Sequence, residues 1–257
     1  MIKAVFLDFD GTLFSHHSAS IPASAYEAID KLRENGIKVF LCTGRAPAEF
    51  KDFDLTRLHI DGRILSNGQM VFDENDELIY EQSIEGELKE RVISLFNEKR
   101  FPMYMVTRDD IYLNDVNETV YEVQDAVSSG IPRIKEYEGE DVYMASAFFN
   151  SEEDVKTIYE LSDLAEITWW HLGAVDIVPK GISKANGIDQ VCKLFGITDQ
   201  ETLGVGDGEN DIGMLKHCAI GIAMGNAAPS TKEAADYVTD DIDDDGLYNA
   251  LKHYRLI

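Results

Sequence analysis

The chain has 257 residues, of which 44% are hydrophobic and 28% are charged, and its formal net charge at pH 7 is −25. This length allows one large domain or two smaller ones with a substantial core, and the negative charge argues against binding to nucleic acid or to an anionic membrane. No apolar run approaches the roughly 20 residues that span a bilayer, and no signal peptide is recognised. We therefore expect a cytoplasmic protein.

The cysteines and the first histidines do not form the clusters that bind transition metals. Cys42, Cys192 and Cys218 are widely spaced in apolar sequence, so we expect reduced core residues rather than disulfides or a zinc site. His16 and His17 lie close together, but no matching group of cysteines or histidines accompanies them.

The first element is a short apolar run, 4–7, that ends in the sequence DFDGT at Asp8–Thr12. Its β-branched and aromatic residues predict a buried parallel strand, whose carboxyl end carries Asp8 and Asp10 into a loop. Carboxylates this close repel one another unless a cation or a shared proton offsets the charge, and Mg²⁺ prefers oxygen ligands. Taken alone, the stretch fits a plain strand end followed by an Asp-Gly turn equally well.

The next stretch completes a βαβ unit. A helix is predicted over 22–35, with Pro and Ser at its start and Gly after its end, and a strand follows at 37–41. Short connections would set the two strand ends side by side. Thr43, Gly44 and Arg45 then lie beside the aspartate pair, where a hydroxyl and a backbone N–H can bind a phosphoryl oxygen.

A third strand end is predicted at Ile64–Gly68, where Asn67 either donates to an anion or forms a simple Asn-Gly turn. The runs 69–72 and 77–82 predict a hairpin. From 84 to 178 the pattern changes, and helices are predicted at 85–99, 118–126 and 152–161 among strand-like runs at 103–106, 111–113, 142–149, 167–171 and 174–178. This mixture predicts an inserted α+β domain on an antiparallel sheet.

After Pro179 the βαβ rhythm resumes. The stretch Lys180–Lys184 opens a predicted helix that runs to Phe195. A lysine in the first turn of a helix is unfavourable unless an anion lies nearby, which for Lys184 would be Asp8 and a bound phosphate. For Lys180 we expect a surface position.

A further predicted strand, 202–206, ends in the sequence Asp207–Asp211 and is followed by a helix at 212–216. Two carboxylates and an amide therefore reach a strand end beside a helix N-terminus, which suits anions. The remaining chain predicts strands at 219–223 and 237–238 and helices at 230–235 and 246–252. The acidic run 240–245 between them predicts a loop and a helix start rather than a metal site.

These motifs resemble those of the haloacid dehalogenase (HAD) superfamily of phosphohydrolases, over essentially the full length of the chain. Within the superfamily, the chain is similar to the Cof-type (subclass IIB) sugar-phosphate phosphatases. The stretches that carry the resemblance are DFDGT at Asp8–Thr12, TGR at Thr43–Arg45, SNG at Ser66–Gly68, Lys184, and GDGEND at Gly206–Asp211. One departure is Ala185, where relatives often have glycine, and it leaves the lysine intact.

The resemblance implies an α/β fold with a Rossmann-like core built on a parallel sheet. Residues 1–83 and 179–257 would form this catalytic core, and residues 84–178 would form an inserted α+β cap that determines substrate specificity. Tyr104, Arg108, Trp169, Trp170 and His171 are candidate cap residues that read the leaving group, although core packing or plain exposure explains each of them as well.

The resemblance also implies a mechanism. Mg²⁺ would be held by Asp8, the backbone carbonyl of Asp10, and Asp207. Asp8 would attack phosphorus and form an aspartyl-phosphate, while Asp10 would act first as acid and then as base. Thr43 and Lys184 would hold the phosphoryl group. The remaining implied residues are Gly44, Arg45, Asn67 and Asn210 as substrate-binding groups, and Asp211, which with Asn210 would orient the metal's waters and the lysine.

Three functions remain open at this stage. The first is a Mg²⁺-dependent phosphatase of small metabolites, with hexose phosphates as the expected substrates. The second is a phosphomutase of the phosphomannomutase type, and the third is a non-catalytic regulator that binds metal or phosphate. We expect a small phosphate ester as the partner, no nucleic acid and no membrane, and a monomer or weak homodimer.

Overall fold

The computed structural model describes residues 1–50, 53, 55–127, 129–149 and 151–257. The chain forms two compact units, the first made of Met1–Arg45, Asp52–Glu81 and Ser183–Ile257 and the second of Ala46–Lys51 and Gln82–Ile182. The second unit thus includes a short segment that the sequence-based division left in the core. Ala46 packs there among Val106, Met144 and Val178, which explains the difference. That the second unit works as a cap stays a prediction.

The strands and helices follow one another along the chain in the predicted order. The strands are β1 (Ala4–Leu7), β2 (Lys38–Cys42), β3 (Gly62–Leu65), β4 (Met70–Asp73), β5 (Leu78–Glu81), β6 (Met103–Val106), β7 (Ile111–Leu113), β8 (Met144–Phe148), β9 (Ala165–His171), β10 (Ala174–Pro179), β11 (Thr202–Gly206), β12 (Ile220–Ala223) and β13 (Tyr237–Val238). The α-helices are α1 (Ala23–Glu34), α2 (Gly86–Glu98), α3 (Glu118–Ala126), α4 (Glu152–Tyr159), α5 (Lys184–Phe195), α6 (Ile212–His217), α7 (Pro229–Ala234) and α8 (Gly246–His253).

The first unit is built on an eight-stranded sheet with the order β13-β12-β11-β1-β2-β3-β4-β5. Neighbours from β13 to β3 are parallel, whereas β4 and β5 form the predicted antiparallel hairpin. The central strand β1 is completely buried, as its apolar run predicts. The α/β fold with a central parallel sheet is confirmed.

Helix α5 belongs to the first unit and carries Lys184. It begins at Lys184 rather than at Lys180, because Asn186 accepts hydrogen bonds from the backbone N–H and the hydroxyl of Ser183 and so caps the helix there. Its apolar face, with Ile188 and Val191, is buried in the sheet core.

The second unit is an α+β domain on a five-stranded antiparallel sheet with the order β7-β6-β8-β10-β9. Alternate residues of its strands share one buried cluster with α2, as a period of two requires. The members of this cluster from α2, β6, β8 and β10 are Leu88, Val92, Phe96, Met103, Met105, Ala145, Ala147, Val175 and Ile177. The opposite face carries α3, whose Val120 and Val123 pack with Leu113 and Phe148.

Two further expectations concern the chain as a whole. Cys42, Cys192 and Cys218 are all buried free thiols, which confirms them as reduced core residues. Within the described residues, every helix is too short or too polar to cross a membrane.

Replacing Gly221 in β12 by alanine should lower the free energy of unfolding, because the added Cβ would lie 2.2 Å from the carbonyl oxygen of Leu215. Overpacking of this kind costs about 1–3 kcal/mol, measurable by urea unfolding followed by circular dichroism. Gly130→Ala is the control, since nothing lies within 4 Å of its added Cβ. Equal stability of the two variants would contradict the close approach seen here.

Candidate active site

The carboxyl ends of three adjacent strands form one edge of the first unit's sheet. Asp8 follows β1, Thr43 follows β2 and Asp207 follows β11. The parallel register pairs Leu7 with Leu41 on one side and with Val205 on the other, so Thr43 and Asp207 lie within one residue of the level at which Asp8 leaves the sheet. Open α/β sheets place their ligands at this edge.

Lys184 lies at the centre of the site. Its Nζ atom is 2.5 Å from Oδ1 of Asp8 and 2.6 Å from Oδ1 of Asp211. Both Lys184 and Asp211 are completely buried, and Asp8 is 5% exposed. Although burial alone would lower the pKa of Lys184, the negative charges of Asp211 and Asp8 outweigh it and raise this pKa, so the lysine is a buried cation.

Asp211 is fully occupied by donors from the protein. Besides the lysine on Oδ1, its Oδ2 accepts the backbone N–H groups of Asp207 and Gly208 at 3.0 and 2.9 Å. A carboxylate held in this way fixes the loop after β11 and the position of Lys184. The arrangement supports the orienting role that the sequence motif implied for Asp211.

Asp8 and Asp207 carry negative charge that the protein leaves uncompensated. Burial, followed by the charge of Asp211, raises the pKa of Asp8 well above its ordinary value of 3.8 and that of Asp207 to about 7. Lys184 opposes both shifts but is a single cation among three carboxylates. A divalent cation would remove this excess charge.

The same carboxylates are placed close enough to bind a metal ion. One oxygen each of Asp8, Asp207 and Asp211 lies within 4.8 Å of the others. The donor set consists of oxygens, which suits Mg²⁺. Within the described part of the chain, Asp211 accepts three hydrogen bonds at 2.6, 3.0 and 2.9 Å, whereas Asp207 accepts only longer ones at 3.2 and 3.4 Å and Asp8 is bound at Oδ1 alone, so Asp8 and Asp207 are the better ligands. The carboxylate of Asp10 does not belong to this group, which is compatible with a contribution from its backbone carbonyl alone.

Asp10 instead forms an ion pair with Arg45. The Nε and Nη2 atoms of Arg45 donate to the two carboxylate oxygens of Asp10, each at 2.7 Å, and Nε2 of His16 is 2.9 Å from Oδ1. Burial alone would raise the pKa of Asp10, but the hydrogen bonds from Arg45 and His16 outweigh it and lower the pKa to about 2. Aromatic rings of Phe9 and Phe53 lie 5.5 and 5.0 Å from the guanidinium and help to hold it.

The predicted anion-binding groups lie on the loops after β2 and β3. The hydroxyl of Thr43 accepts the N–H of Arg45 at 3.1 Å, so its own proton can be donated elsewhere. Asn67 is buried with a left-handed backbone, φ 55°, and its Oδ1 accepts from Nδ2 of Asn210 at 3.1 Å. A Cβ atom at Gly44 would lie 3.0 Å from Oδ1 of Asn67, so these groups form one cluster.

The aromatic candidate residues of the second unit are engaged mainly in packing, whereas Arg108 is exposed. Tyr104 and Trp170 belong to the cluster under α3, and Trp169 packs against the cluster under α2. His171 accepts the N–H of Gly173 at its Nδ1. For the aromatic candidates, core packing is the interpretation that the structure favours. Lys180 lies on the surface, as expected.

Two features of the site were missed in the sequence. His16 was considered only as a metal ligand, whereas it contacts Asp10. Asn226 was not considered at all, yet its Nδ2 donates to the carbonyl of Gly11 at 2.8 Å and to Oδ2 of Asp207 at 3.2 Å. The signal was available, because Asn226 follows the parallel strand β12 and therefore lies at the same sheet edge.

Comparison with known proteins agrees with this geometry. Residues 5–251 match the protein family described as haloacid dehalogenase-like hydrolase. The putative phosphatase YkrA of Bacillus subtilis (strain 168) is 31% identical over 99% of this chain and 98% of its own length.

Two solved structures share the fold over nearly the whole chain. The HAD subclass IIB sugar phosphatase BT4131 superposes with a TM-score of 0.89 at 37% identity, covering 99% of this chain and 100% of its own. The phosphatase BT1666 from Bacteroides thetaiotaomicron gives a TM-score of 0.90 at 31% identity, with 100% and 96% covered. The chain therefore belongs to the haloacid dehalogenase-like hydrolases, and it is an enzyme of the phosphatase type in their Cof-type, subclass IIB branch.

Proposed function

We propose that this enzyme hydrolyses phosphomonoesters of small metabolites, with sugar phosphates as its substrate class, through an aspartyl-phosphate on Asp8 and with Mg²⁺ as cofactor. The observation that carries the proposal is the state of Asp8. Lys184 holds its Oδ1 at 2.5 Å, and no described donor binds its Oδ2. A buried, oriented carboxylate with one open oxygen is suited to nucleophilic attack.

Mg²⁺ bound by Asp8, Asp207 and the backbone carbonyl of Asp10 would supply positive charge to the phosphoryl oxygens. The protein's own groups account for the other requirements. Thr43, with a hydroxyl proton to donate, and Lys184 would bind the phosphoryl group. Asn210 is hydrogen-bonded to Asn67 and would keep that amide turned towards the anion.

The reaction then proceeds in two steps. Oδ2 of Asp8 attacks phosphorus, the ester bond breaks, and the leaving alkoxide takes a proton from Asp10. Asp10, now ionised, removes a proton from water, which attacks the aspartyl-phosphate and releases inorganic phosphate and free Asp8. Because one carboxyl group serves as acid and then as base, the cycle returns it to its starting state.

The ion pair of Asp10 with Arg45 holds this carboxyl in its ionised form before substrate binds. A carboxyl whose pKa is about 2 is ionised at neutral pH, so it has no proton to donate, and it is also a weak base. We infer that Asp10 gains a proton only when Arg45 and His16 release it, for example when the guanidinium turns to an anionic or hydroxylated substrate. Arg45 would then bind the substrate, as its motif implied.

The substrate class is supported by similarity and by the family's chemistry. A solved structure at 37% identity is described as a sugar phosphatase. A phosphomutase of the phosphomannomutase type would use the same two aspartates and is the alternative that the experiment below separates.

Asp8→Asn should abolish phosphate release, because an amide is not a nucleophile of comparable strength. We expect a loss of about 1000-fold or more for sugar phosphates and for p-nitrophenyl phosphate, and a similar loss when a chelator removes Mg²⁺ from the wild type. Phosphate release is measured colorimetrically. The matched control, Asp163→Asn, replaces an exposed aspartate of the second unit and should keep wild-type rates.

Other results would reassign the enzyme. Isomerisation of hexose 1- and 6-phosphates after addition of a bisphosphate, without phosphate release, would identify a mutase. Unchanged hydrolysis by Asp8→Asn would remove Asp8 from the mechanism.

Asp207→Asn should raise the melting temperature at pH 8 in a chelator. The folded-state pKa of Asp207 lies near 7 and its ordinary value is 3.8, so the stability that its proton contributes is present at low pH and is lost as pH rises through 7. Removing the charge should raise Tm at pH 8 by about 2–4 °C or more and change it little at pH 4.

The metal provides the internal control for this prediction. Adding Mg²⁺ at pH 8 should stabilise the wild type more than Asp207→Asn, because only the wild type has the full carboxylate set. A variant less stable than the wild type at pH 8 in chelator would contradict the proposed charge excess.

A further inference from the structure

The side chain of Asn226 connects three separate parts of the first unit. It lies in the loop after β12, where its Nδ2 donates to the carbonyl of Gly11 at 2.8 Å and to Oδ2 of Asp207 at 3.2 Å. Its Oδ1 accepts the backbone N–H of Ile242 at 3.1 Å. One amide therefore joins the loop of the DFDGT motif, the aspartate after β11 and the acidic turn near the C-terminus.

The chemistry of the partners fixes which way this amide faces. A backbone N–H such as that of Ile242 can only donate, so it must meet the amide oxygen. The carbonyl of Gly11 can only accept, and it therefore meets the amide nitrogen. Since Nδ2 has two hydrogens, both of its contacts can be satisfied together. With Asp207 ionised, the opposite orientation would place like groups against each other at all three positions.

Backbone hydrogen bonds from the acidic turn also restrain Asn226. The N–H of Gly225 donates to the carbonyl of Asp240 at 2.9 Å, and Ile242, which donates to the amide oxygen, is buried. The loop that carries Asn226 and the side-chain amide itself are therefore both hydrogen-bonded to the backbone of the acidic turn. An exposed side chain with these restraints keeps one orientation despite its contact with solvent.

The two residues that accept hydrogen bonds from Nδ2 of Asn226, Gly11 and Asp207, lie in close contact with one another. A Cβ atom at Gly11 would be 2.2 Å from Oδ2 of Asp207, and only glycine, here with φ +75°, permits this approach. Oδ1 of the same carboxylate accepts a hydrogen bond from the hydroxyl of Thr12 at 3.4 Å, which is longer than the one from Asn226. Of the two described hydrogen bonds to the Asp207 carboxylate, the one from Asn226 is thus the shorter. Through its second hydrogen bond, to Gly11, Asn226 also links this carboxylate to the DFDGT motif, which carries Asp8 and Asp10.

We propose that Asn226 is a positioning residue for the Mg²⁺ site, holding Asp207 and the loop after Asp8 at the separation that the metal requires. This inference rests on the proposed function, since it needs Asp207 to be a ligand. Partners that orient ligating carboxylates contribute to metal affinity although they do not touch the ion. The acidic turn then has a part in the site through the N–H of Ile242 rather than through its carboxylates.

The test compares Asn226→Ala with Asn249→Ala. Asn249 also bonds the acidic turn, through Nδ2 to Oδ2 of Asp240 at 2.8 Å and to the carbonyl of Asp244 at 3.2 Å, but it does not contact Asp207. Both variants lose amide contacts with the same turn, so a merely structural role would affect them alike. The readouts are the Mg²⁺ dissociation constant from isothermal titration calorimetry and the melting temperature in chelator.

We expect Asn226→Ala to bind Mg²⁺ about 10–100-fold more weakly, and Asn249→Ala to bind it within about twofold of the wild type. At saturating Mg²⁺, phosphate release by Asn226→Ala should recover most of the wild-type kcat, since the residue touches no reacting atom. In chelator, the two variants should melt within a few degrees of each other.

Wild-type Mg²⁺ affinity in Asn226→Ala would overturn the inference, and so would an equal loss of affinity in both variants. A variant Asn226→Ala that is unfolded in chelator would also overturn it, because the residue would then serve the fold. If the wild type itself bound no Mg²⁺ in calorimetry, the failure would lie with the proposed function and not with Asn226.

Discussion

The site depends on an imbalance of buried charge. Three carboxylates, those of Asp8, Asp207 and Asp211, meet one ammonium group, that of Lys184, at a place where Lys184 and Asp211 are completely buried. Burying charges without enough partners is costly, and the raised pKa values of Asp8 and Asp207 express that cost. The same excess of negative charge would provide affinity for the divalent cation proposed above.

The rest of the first unit serves to keep these groups together. Parallel strands place Asp8 and Asp207 at one sheet edge, and the cap of α5 places Lys184 at the first position of its helix. Asp211 binds the lysine with one oxygen and two backbone N–H groups with the other, so it ties the loop after β11 to Lys184. Asp211 and the backbone of the first unit therefore set the positions of the groups that are proposed to bind the ligand.

Arg45 holds Asp10 in a state that suits neither of its two proposed proton transfers. Its bidentate pair with Arg45 stabilises the ionised form, which leaves the carboxyl without a proton to donate and also weakens it as a base. Protonation of a leaving group requires that pair to break. The charge on Arg45 is thus available for exchange between Asp10 and an incoming substrate, which would couple substrate binding to the protonation of Asp10.

The sequence by itself determined the order of elements, the α/β class and the motif residues, because hydrophobic period, capping and turn chemistry are local properties. The hairpin at 69–82 and helix α3 at Glu118–Ala126 were predictable for this reason. Only the tertiary structure decided that Ala46 packs with the second unit, that Arg45 and His16 bind Asp10, and that Asn226 reaches Asp207. Apart from that of His16 with Asp10, these contacts join residues distant in the chain. Their geometry follows from how strands and loops assemble, which no local pattern records.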